Sequence, residues 1–118
     1  MSRRTQRIAE QLKSEISRLL REEVTDPRIG LLSVTRVDVA PDLSHALVFW
    51  SALDAGEGPA QERVEAGLSS AAAFLRRRLA RDLSLKRAPE LRFRHDPSLA
   101  LGTQTLSLLR ELSDDEKA

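Results

Sequence analysis

The chain has 118 residues, 41% of them hydrophobic and 31% charged, which fits one small globular domain and excludes a disordered chain. It contains no cysteine, which excludes disulfides, thiolate metal sites and cysteine nucleophiles. The formal net charge is +1, and no apolar run approaches the roughly 20 residues of a membrane-spanning helix. We therefore expect a soluble, cytoplasmic protein without a membrane partner.

A helix is predicted at the start of the chain, over residues 5–24. Its apolar residues recur at three- and four-residue steps and so share one helix face; they are Ile8, Leu12, Ile16, Leu19, Leu20 and Val24. Asp26-Pro27 ends this helix, because the residue before a proline is pushed out of the helical region.

Two strands are predicted next, joined as a hairpin by a turn cluster over residues 40–44. The first, over residues 31–39, is rich in β-branched residues, but its alternation slips near Thr35-Arg36. Either a bulge or burial on both faces accounts for the slip. The second strand, over residues 45–52, is apolar without interruption from Ala46 to Trp50, which suggests a strand covered on both sides.

By its periodicity alone, the stretch 60–83 predicts one long helix, with Pro59 at a favourable first position. Three consecutive alanines, Ala71, Ala72 and Ala73, form a waist of small side chains where another element could approach closely. On a helical wheel, Arg77, Arg78 and Arg81 lie opposite the apolar stripe and are expected to face outward.

A third strand is predicted over residues 91–95, apolar on one face and basic on the other. Residues 106–112 could add a short last helix before an acidic, flexible tail over residues 113–118. The predicted fold class is therefore α+β, a two-layer domain with a three-stranded sheet and helices on one face.

Six short motifs follow one another along the chain: Arg7-Ile8-Ala9-Glu10-Gln11, Asp26-Pro27-Arg28-Ile29-Gly30, Val34-Thr35-Arg36-Val37-Asp38-Val39, Pro41-Asp42-Leu43-Ser44-His45-Ala46, Phe74-Leu75-Arg76 and Pro89-Glu90-Leu91-Arg92-Phe93. In this order and spacing they resemble the ribosome-binding factor A family of bacterial small-subunit assembly factors. Each motif alone is weak, but the second, fourth and sixth together are specific. The resemblance runs over residues 3–109.

The resemblance implies a type II KH-like domain over residues 1–112, in the order helix-strand-strand-helix-helix-strand. It also implies a non-enzymatic, RNA-binding factor that associates with free 30S subunits and assists late maturation of 16S rRNA, including its 5′ end, often in connection with cold adaptation. The family carries Ala-x-Gly at a kink between its second and third helices. Here Ala71, Ala72 and Ala73 stand at that kink, with alanine in the place of glycine. Tertiary packing would then have to produce the kink.

Charge is segregated along the chain. Eight cations between Arg76 and Arg94 face only two acids, Asp82 and Glu90, which gives this stretch a local charge of +6. Such a patch is typical of a surface that binds the phosphates of a polyanion. The alternative is an ordinary charged surface that faces solvent and binds nothing. We predict that the main rRNA surface consists of Arg76, Arg77, Arg78, Arg81, Lys86, Arg87, Arg92 and Arg94. Arg3, Arg4 and Arg7 form a second, smaller basic group, either an auxiliary phosphate contact or ordinary surface.

Aromatic residues are scarce, at 3% of the chain. Phe74 and Phe93 are expected in the core, while Phe49 and Trp50 point to opposite faces of one strand, so one of them can be partly exposed. No aromatic platform for splayed bases is evident, which favours recognition of RNA through shape and backbone.

Catalytic and metal sites are not predicted. His45 is interpreted as a hydrogen-bonded structural residue, and His95-Asp96 has no second ligand pair at a useful spacing. We expect no cofactor and no small-molecule substrate, and a monomer that binds 16S rRNA and the 30S subunit. The alternatives are a protein-interaction module that dimerises through residues 71–73 and 46–50 and, as a minor candidate, a small hydrolase.

Overall fold

A computed structural model describes residues 3–52 and 58–96 of the chain. They form helix α1 (Arg3–Glu22), strands β1 (Leu32–Val39) and β2 (His45–Ala52), helix α2 (Pro59–Asp82) and strand β3 (Glu90–His95). The predicted α+β class is confirmed. The helix predicted over residues 106–112, the acidic tail over 113–118 and most of the loop predicted over 54–58 lie outside the described residues.

The three strands form one mixed sheet in the order β1-β2-β3. β1 and β2 pair antiparallel, as the predicted hairpin requires, and β2 and β3 pair parallel. A parallel pair needs a crossover connection, which here contains α2. β2 is therefore the central strand, and among the described strands β1 and β3 are the edges.

A β-bulge interrupts the pairing of β1 with β2 between Val34 and Arg36. Val34 pairs with Trp50 and Arg36 pairs with Phe49, so Thr35 is the extra residue. The bulge predicted near Thr35-Arg36 is thus confirmed, and it explains the slip in alternation without burial of both faces.

Within residues 3–52 and 58–96 both helices pack on the same face of β2, so the prediction of a strand covered on both sides is not confirmed by the described elements. Ala46, Val48 and Trp50 are buried, whereas Leu47 and Phe49 on the opposite face are half-buried. We call the face of the sheet toward the helices the inner face and the other the outer face.

The core lies between the inner face and both helices. Side chains with no exposed surface come from α1 (Leu12, Ile16, Leu19), α2 (Leu68, Leu75, Leu79) and β2 (Val48). Phe74 and Phe93 are half-buried against this core. The helical periodicities of the sequence therefore identified the faces that pack.

α2 continues through Ala71, Ala72 and Ala73 as one element. The observed order is helix-strand-strand-helix-strand, with a single helix where the resemblance implied two, so the expected helix boundary at these residues is corrected. Alanine is the best helix former, whereas a glycine at Ala73 would weaken the helix by about 1 kcal/mol. The one-helix prediction from periodicity agrees with the structure.

Candidate nucleic-acid interface

Arg77 and Arg81 lie on the exposed side of α2, away from its buried stripe, as the helical wheel predicted. The Arg81 side chain is 69% exposed, and its Nε lies 3.1 Å from Oδ1 of Asp82. This contact, together with nearby Arg78, holds the pKa of Asp82 below its usual range. Both arginines can reach a ligand in solution, and Arg77 has no ion pair within the described parts of the chain.

The Arg76 side chain is hydrogen-bonded to backbone groups of the protein and is not available to a ligand. Its Nε donates to the carbonyl oxygen of Pro89 at 3.2 Å, and its Nη2 donates to that of Ala88 at 3.3 Å. Ala88 and Pro89 are buried, so these bonds satisfy carbonyl groups that have little access to water. Arg76 therefore fastens the connection between α2 and β3.

Arg78 differs most from the expectation of an outward-facing arginine. Its side chain is only 20% exposed and forms an ion pair with Glu23, which follows α1, and a second one with Asp82 at 3.5 Å. Glu23 lies 55 positions away in the sequence, outside the stretch 76–94 whose charges gave the local value of +6. The guanidinium joins α2 to the end of α1, which corrects its predicted place on the open surface.

A groove of about 630 Å³ lies at the end of the domain where α1 begins and α2 ends. We call it the loop-end groove. Its lining combines the start of α1, the turn between β1 and β2, and the segment that joins α2 to β3. The charged or titratable residues of this lining are Arg4, Asp42, His45, Arg76, Lys86, Arg87 and Glu90.

Three of the four cations in the loop-end groove, unlike Arg76, are available to a ligand in the described structure, whereas both acids of the groove contact other groups of the protein. Within residues 3–52 and 58–96, Arg4, Lys86 and Arg87 form no ion pair, and all three are exposed. Asp42 accepts hydrogen bonds from the backbone N–H and the hydroxyl of Ser44, which lower its pKa. Glu90 contacts Arg92 and His45. The groove therefore presents unpaired positive charge.

Arg3, Arg4 and Arg7 were predicted to form a basic group separate from the basic stretch 76–94. All three are exposed at the start of α1, and the structure brings Arg4 into one groove with Lys86 and Arg87. More than 80 residues separate these positions, so no local pattern could have indicated the juxtaposition.

Arg92 and Arg94 lie on the outer face, because Leu91 and Phe93, which alternate with them, face the core. α2 covers the inner face. The structure therefore separates the two arginines from Arg77 and Arg81, which lie on the other side of the domain. The eight predicted cations do not form one continuous surface.

His45 has the structural role that the sequence suggested. Its Nδ1 lies 2.9 Å from Oγ of Ser44, and its Nε2 lies 3.3 Å from Oε2 of Glu90. The imidazole thus ties the β1–β2 turn to the start of β3. In the described ranges no three His, Asp or Glu side chains gather as a metal site would require, and neither helix there has the length and apolar content to cross a membrane.

Comparison with known proteins assigns the chain to a family. Residues 4–109 match the sequence model of ribosome-binding factor A. The chain belongs to the ribosome-binding factor A family. Among curated relatives, ribosome-binding factor A of Pseudomonas syringae is 40% identical over 115 residues, which cover 95% of this chain and 82% of the relative. The resemblance inferred from the six motifs is confirmed.

Solved structures of ribosome-binding factor A share the fold. The crystal structure of the Thermus thermophilus protein matches with a TM-score of 0.69 and 30% identity, over 77% of this chain and 93% of that one. A homology model of the Thermus thermophilus factor, fitted into a cryo-EM map of a 30S complex, matches with a TM-score of 0.55 and 31% identity. It covers 74% of this chain and 93% of that one.

Proposed function

We propose that this chain is a non-enzymatic RNA-binding factor of the cytoplasm that associates with the free 30S subunit and assists late maturation of 16S rRNA, including its 5′ end. Membership of the ribosome-binding factor A family supports the proposal, as does the similarity to a Thermus thermophilus factor described in a 30S complex. We also propose the connection with cold adaptation that the family resemblance implies.

The loop-end groove is the observation that carries the proposal. Arg4, Lys86 and Arg87 come from two distant segments, yet they line one concave surface, and no acid of the described chain pairs with them. A ribosomal subunit offers closely spaced phosphates, and each phosphate that a cation neutralises releases condensed counterions. Cations without internal partners supply this affinity at the least cost, because they have no ion pair to break.

Arg76 and Arg78 are placed differently within the proposal. Both are bound to groups of the protein, so we assign them to the scaffold that holds the groove and α2 in place. Arg77, Arg81, Arg3 and Arg7 are exposed near the same helices and extend the basic surface. The RNA contact would thus consist of the groove and the exposed sides of both helices next to it.

We also propose that the scaffold is related to type II KH-like domains. The helix-strand-strand-helix-strand order supports this relationship, with α2 standing where that fold has two helices. In the described parts of the chain no glycine-rich loop interrupts α2, so a contact through backbone and shape suits this scaffold better than readout of single bases by such a loop.

The alternative function, a dimerisation module, has less support. Ala46, Val48 and Trp50 belong to the core of the chain itself, and Ala71 is only 9% exposed. These four residues are not available to a second copy unless the domain opens. The accessible remainder is divided between the outer face (Leu47, Phe49) and α2 on the opposite side of the sheet (Ala72, Ala73), so it does not form one surface. We therefore propose that the factor acts as a monomer.

The decisive experiment measures binding of the purified protein to 30S subunits across a salt series. We compare K86E/R87E with R21E/R63E, which changes the charge by the same amount at exposed positions outside the groove. K86E/R87E should bind at least ~10-fold more weakly near 0.1 M salt, and the slope of log K against log salt should become shallower by about 1.5. The control should stay within about 3-fold of the wild type.

Equal binding by K86E/R87E and the wild type would exclude the groove as the RNA contact. An absence of 30S binding by the wild-type protein would exclude the proposed function as a whole. In cells whose only copy is K86E/R87E, precursor 16S rRNA with an unprocessed 5′ end should accumulate, most strongly at low temperature; mature ends in those cells would contradict the role in processing.

A further inference from the structure

A row of three side chains crosses the outer face of the sheet. Arg36 of β1 pairs with Phe49 of β2, and Phe49 pairs with Arg94 of β3, so the ring lies between two arginines on neighbouring strands. The next row on this face is Asp38, Leu47 and Arg92. In the described parts of the chain neither helix covers these two rows.

The β-bulge determines which residue stands beside Phe49. The pairs Ser33 with Ser51 and Val34 with Trp50 would continue with Thr35 opposite Phe49 if the ladder were regular. The bulge removes Thr35 from the ladder and brings Arg36 into register with Phe49 instead. The Thr35 hydroxyl donates to Oδ2 of Asp96 at 2.6 Å. Bulges often re-aim a side chain at a functional position.

The contacts of the row leave the Arg36 guanidinium largely exposed above the half-buried Phe49 ring. The guanidinium carbon of Arg36 lies 4.2 Å from the centroid of the Phe49 ring, which is a cation–π contact. Nε of Arg36 lies 3.2 Å from Asp38, and its side chain is still 62% exposed. Arg94 is exposed, and among the described residues it forms no ion pair. A ring, a guanidinium plane and a free cation thus lie side by side.

We propose that this outer face binds unpaired nucleotides of single-stranded RNA, with a base stacked on the Arg36–Phe49 pair and an adjacent phosphate at Arg94. Single-stranded segments expose the faces of their bases, which stack on aromatic rings and on arginine planes, whereas an A-form helix hides them. The acids of this face are all engaged: Asp38 and Glu90 are each bound to an arginine, and Asp96 accepts from Thr35, whereas Arg94 forms no ion pair among the described residues.

The inference rests on the RNA-binding function proposed above, but it concerns a different surface from the loop-end groove. The groove would hold phosphates by charge, whereas the outer face would hold a base by stacking. Stacking on Phe49 does not release counterions and only the phosphate at Arg94 would, so binding at the outer face should depend on salt less than binding at the groove.

The test uses the full chain and a 5′-labelled oligoadenylate, with a double-stranded RNA of the same length for comparison. F49L removes the ring and keeps an apolar side chain in the sheet, and F93L makes the same change on the inner face as its control. We expect F49L to bind the oligoadenylate at least ~5-fold more weakly, within the roughly 5- to 150-fold that one base–aromatic stack contributes. F93L should bind the oligoadenylate with wild-type affinity. Both variants should bind the double-stranded RNA with wild-type affinity.

A second pair separates stacking from charge. R36K keeps the charge but loses the guanidinium plane, and R21K makes the same exchange at a similarly exposed arginine with an acidic neighbour. R36K should weaken oligoadenylate binding without changing its salt slope, while R21K should change neither. Addition of oligoadenylate should also shift the NMR signals of the Leu47 methyl groups and the Phe49 ring.

Three results would overturn the proposal. The first is wild-type affinity of F49L and R36K for the oligoadenylate while K86E/R87E still loses 30S binding. This result would exclude the stacking surface but not the proposed function. NMR shifts confined to the loop-end groove would do the same. F49L that binds oligoadenylate normally but binds 30S subunits weakly would instead identify the outer face as a protein contact.

Discussion

A Cβ atom at Gly67 would lie 2.8 Å from Cγ1 of Ile29. Gly67 is buried in the middle of α2, and Ile29, which is 5% exposed, belongs to the connection between α1 and β1. That connection folds on itself, because the Arg28 N–H donates to Oδ1 of Asp26 at 2.9 Å and the Ile29 N–H donates to the Asp26 carbonyl at 3.1 Å. The Asp-Pro-Arg-Ile-Gly motif therefore seats Ile29 against the helix, and Gly67 provides the space.

Gly67→Ala should destabilise the domain although alanine is the better helix former. The new methyl group must displace Ile29, and overpacking of this kind costs about 1–3 kcal/mol, while the gain in helix propensity returns about 1 kcal/mol. We expect a net loss of up to ~2 kcal/mol in urea unfolding. Ala66→Gly, at an exposed position of the same helix, should lose about 1 kcal/mol through propensity alone. A stabilised Gly67→Ala variant would show that the connection does not press on α2.

Asp26 should make the stability depend on pH in acid. Hydrogen bonds from the Arg28 side chain, and then from its backbone N–H, lower the pKa of Asp26 to about 2 from an ordinary 3.8. Because the folded-state pKa is lower than the unfolded one, the carboxylate stabilises the fold above about pH 4, and this contribution is lost as the pH falls toward 2.

The comparison of the wild type with Asp26→Asn isolates this contribution from those of Asp42 and Asp82, whose pKa values are also lowered. The wild type should unfold at higher temperature than Asp26→Asn at pH 7, and the difference should shrink between pH 4 and pH 2. A difference that stays constant over this range would mean that ionisation of Asp26 is not involved.

Substitution of Arg76 should lower the stability of the domain, whereas substitution of its neighbour Arg77 should affect only binding. Arg76→Ala leaves the buried carbonyl groups of Ala88 and Pro89 without their donor, which should cost about 1–3 kcal/mol in chemical unfolding. Arg77→Ala at the adjacent exposed position should change stability by no more than ~0.5 kcal/mol. If RNA contact extends along α2, Arg77→Ala weakens 30S binding instead. Equal unfolding midpoints for the two variants would contradict the structural role of Arg76.

The continuity of α2 can be tested at Ala73, which is exposed. Ala73→Gly restores the glycine of the family pattern and should cost about 1 kcal/mol, since it creates no cavity and loses only helix propensity. In the wild type, the amides of residues 71–77 should exchange slowly with solvent, as in an unbroken helix, and Ala73→Gly should accelerate them locally. Fast exchange at these amides in the wild type would show a break that the alanines do not prevent.

Much of the architecture followed from local patterns. The periodicity of apolar residues located both helices, the turn cluster located the hairpin, and the slip near Thr35 located the bulge, because each of these depends on backbone geometry over a few residues. The prediction that β2 is covered on both sides is not confirmed by the described helices, which both pack on one face of the strand. The apolar run itself does not indicate which face a helix covers, because burial depends on elements distant in the sequence.

Sequence patterns were enough to identify the family, the fold class and a strongly basic stretch within a chain of net charge +1. The role of each cation, in contrast, depends on the folded arrangement. The tertiary structure bound Arg76 to buried carbonyls and Arg78 to Glu23, it gathered Arg4 with Lys86 and Arg87, and it turned Arg92 and Arg94 to the other side of the sheet. Electrostatic energy depends on distance through space, and charges far apart along the chain are brought together or separated only when the chain folds.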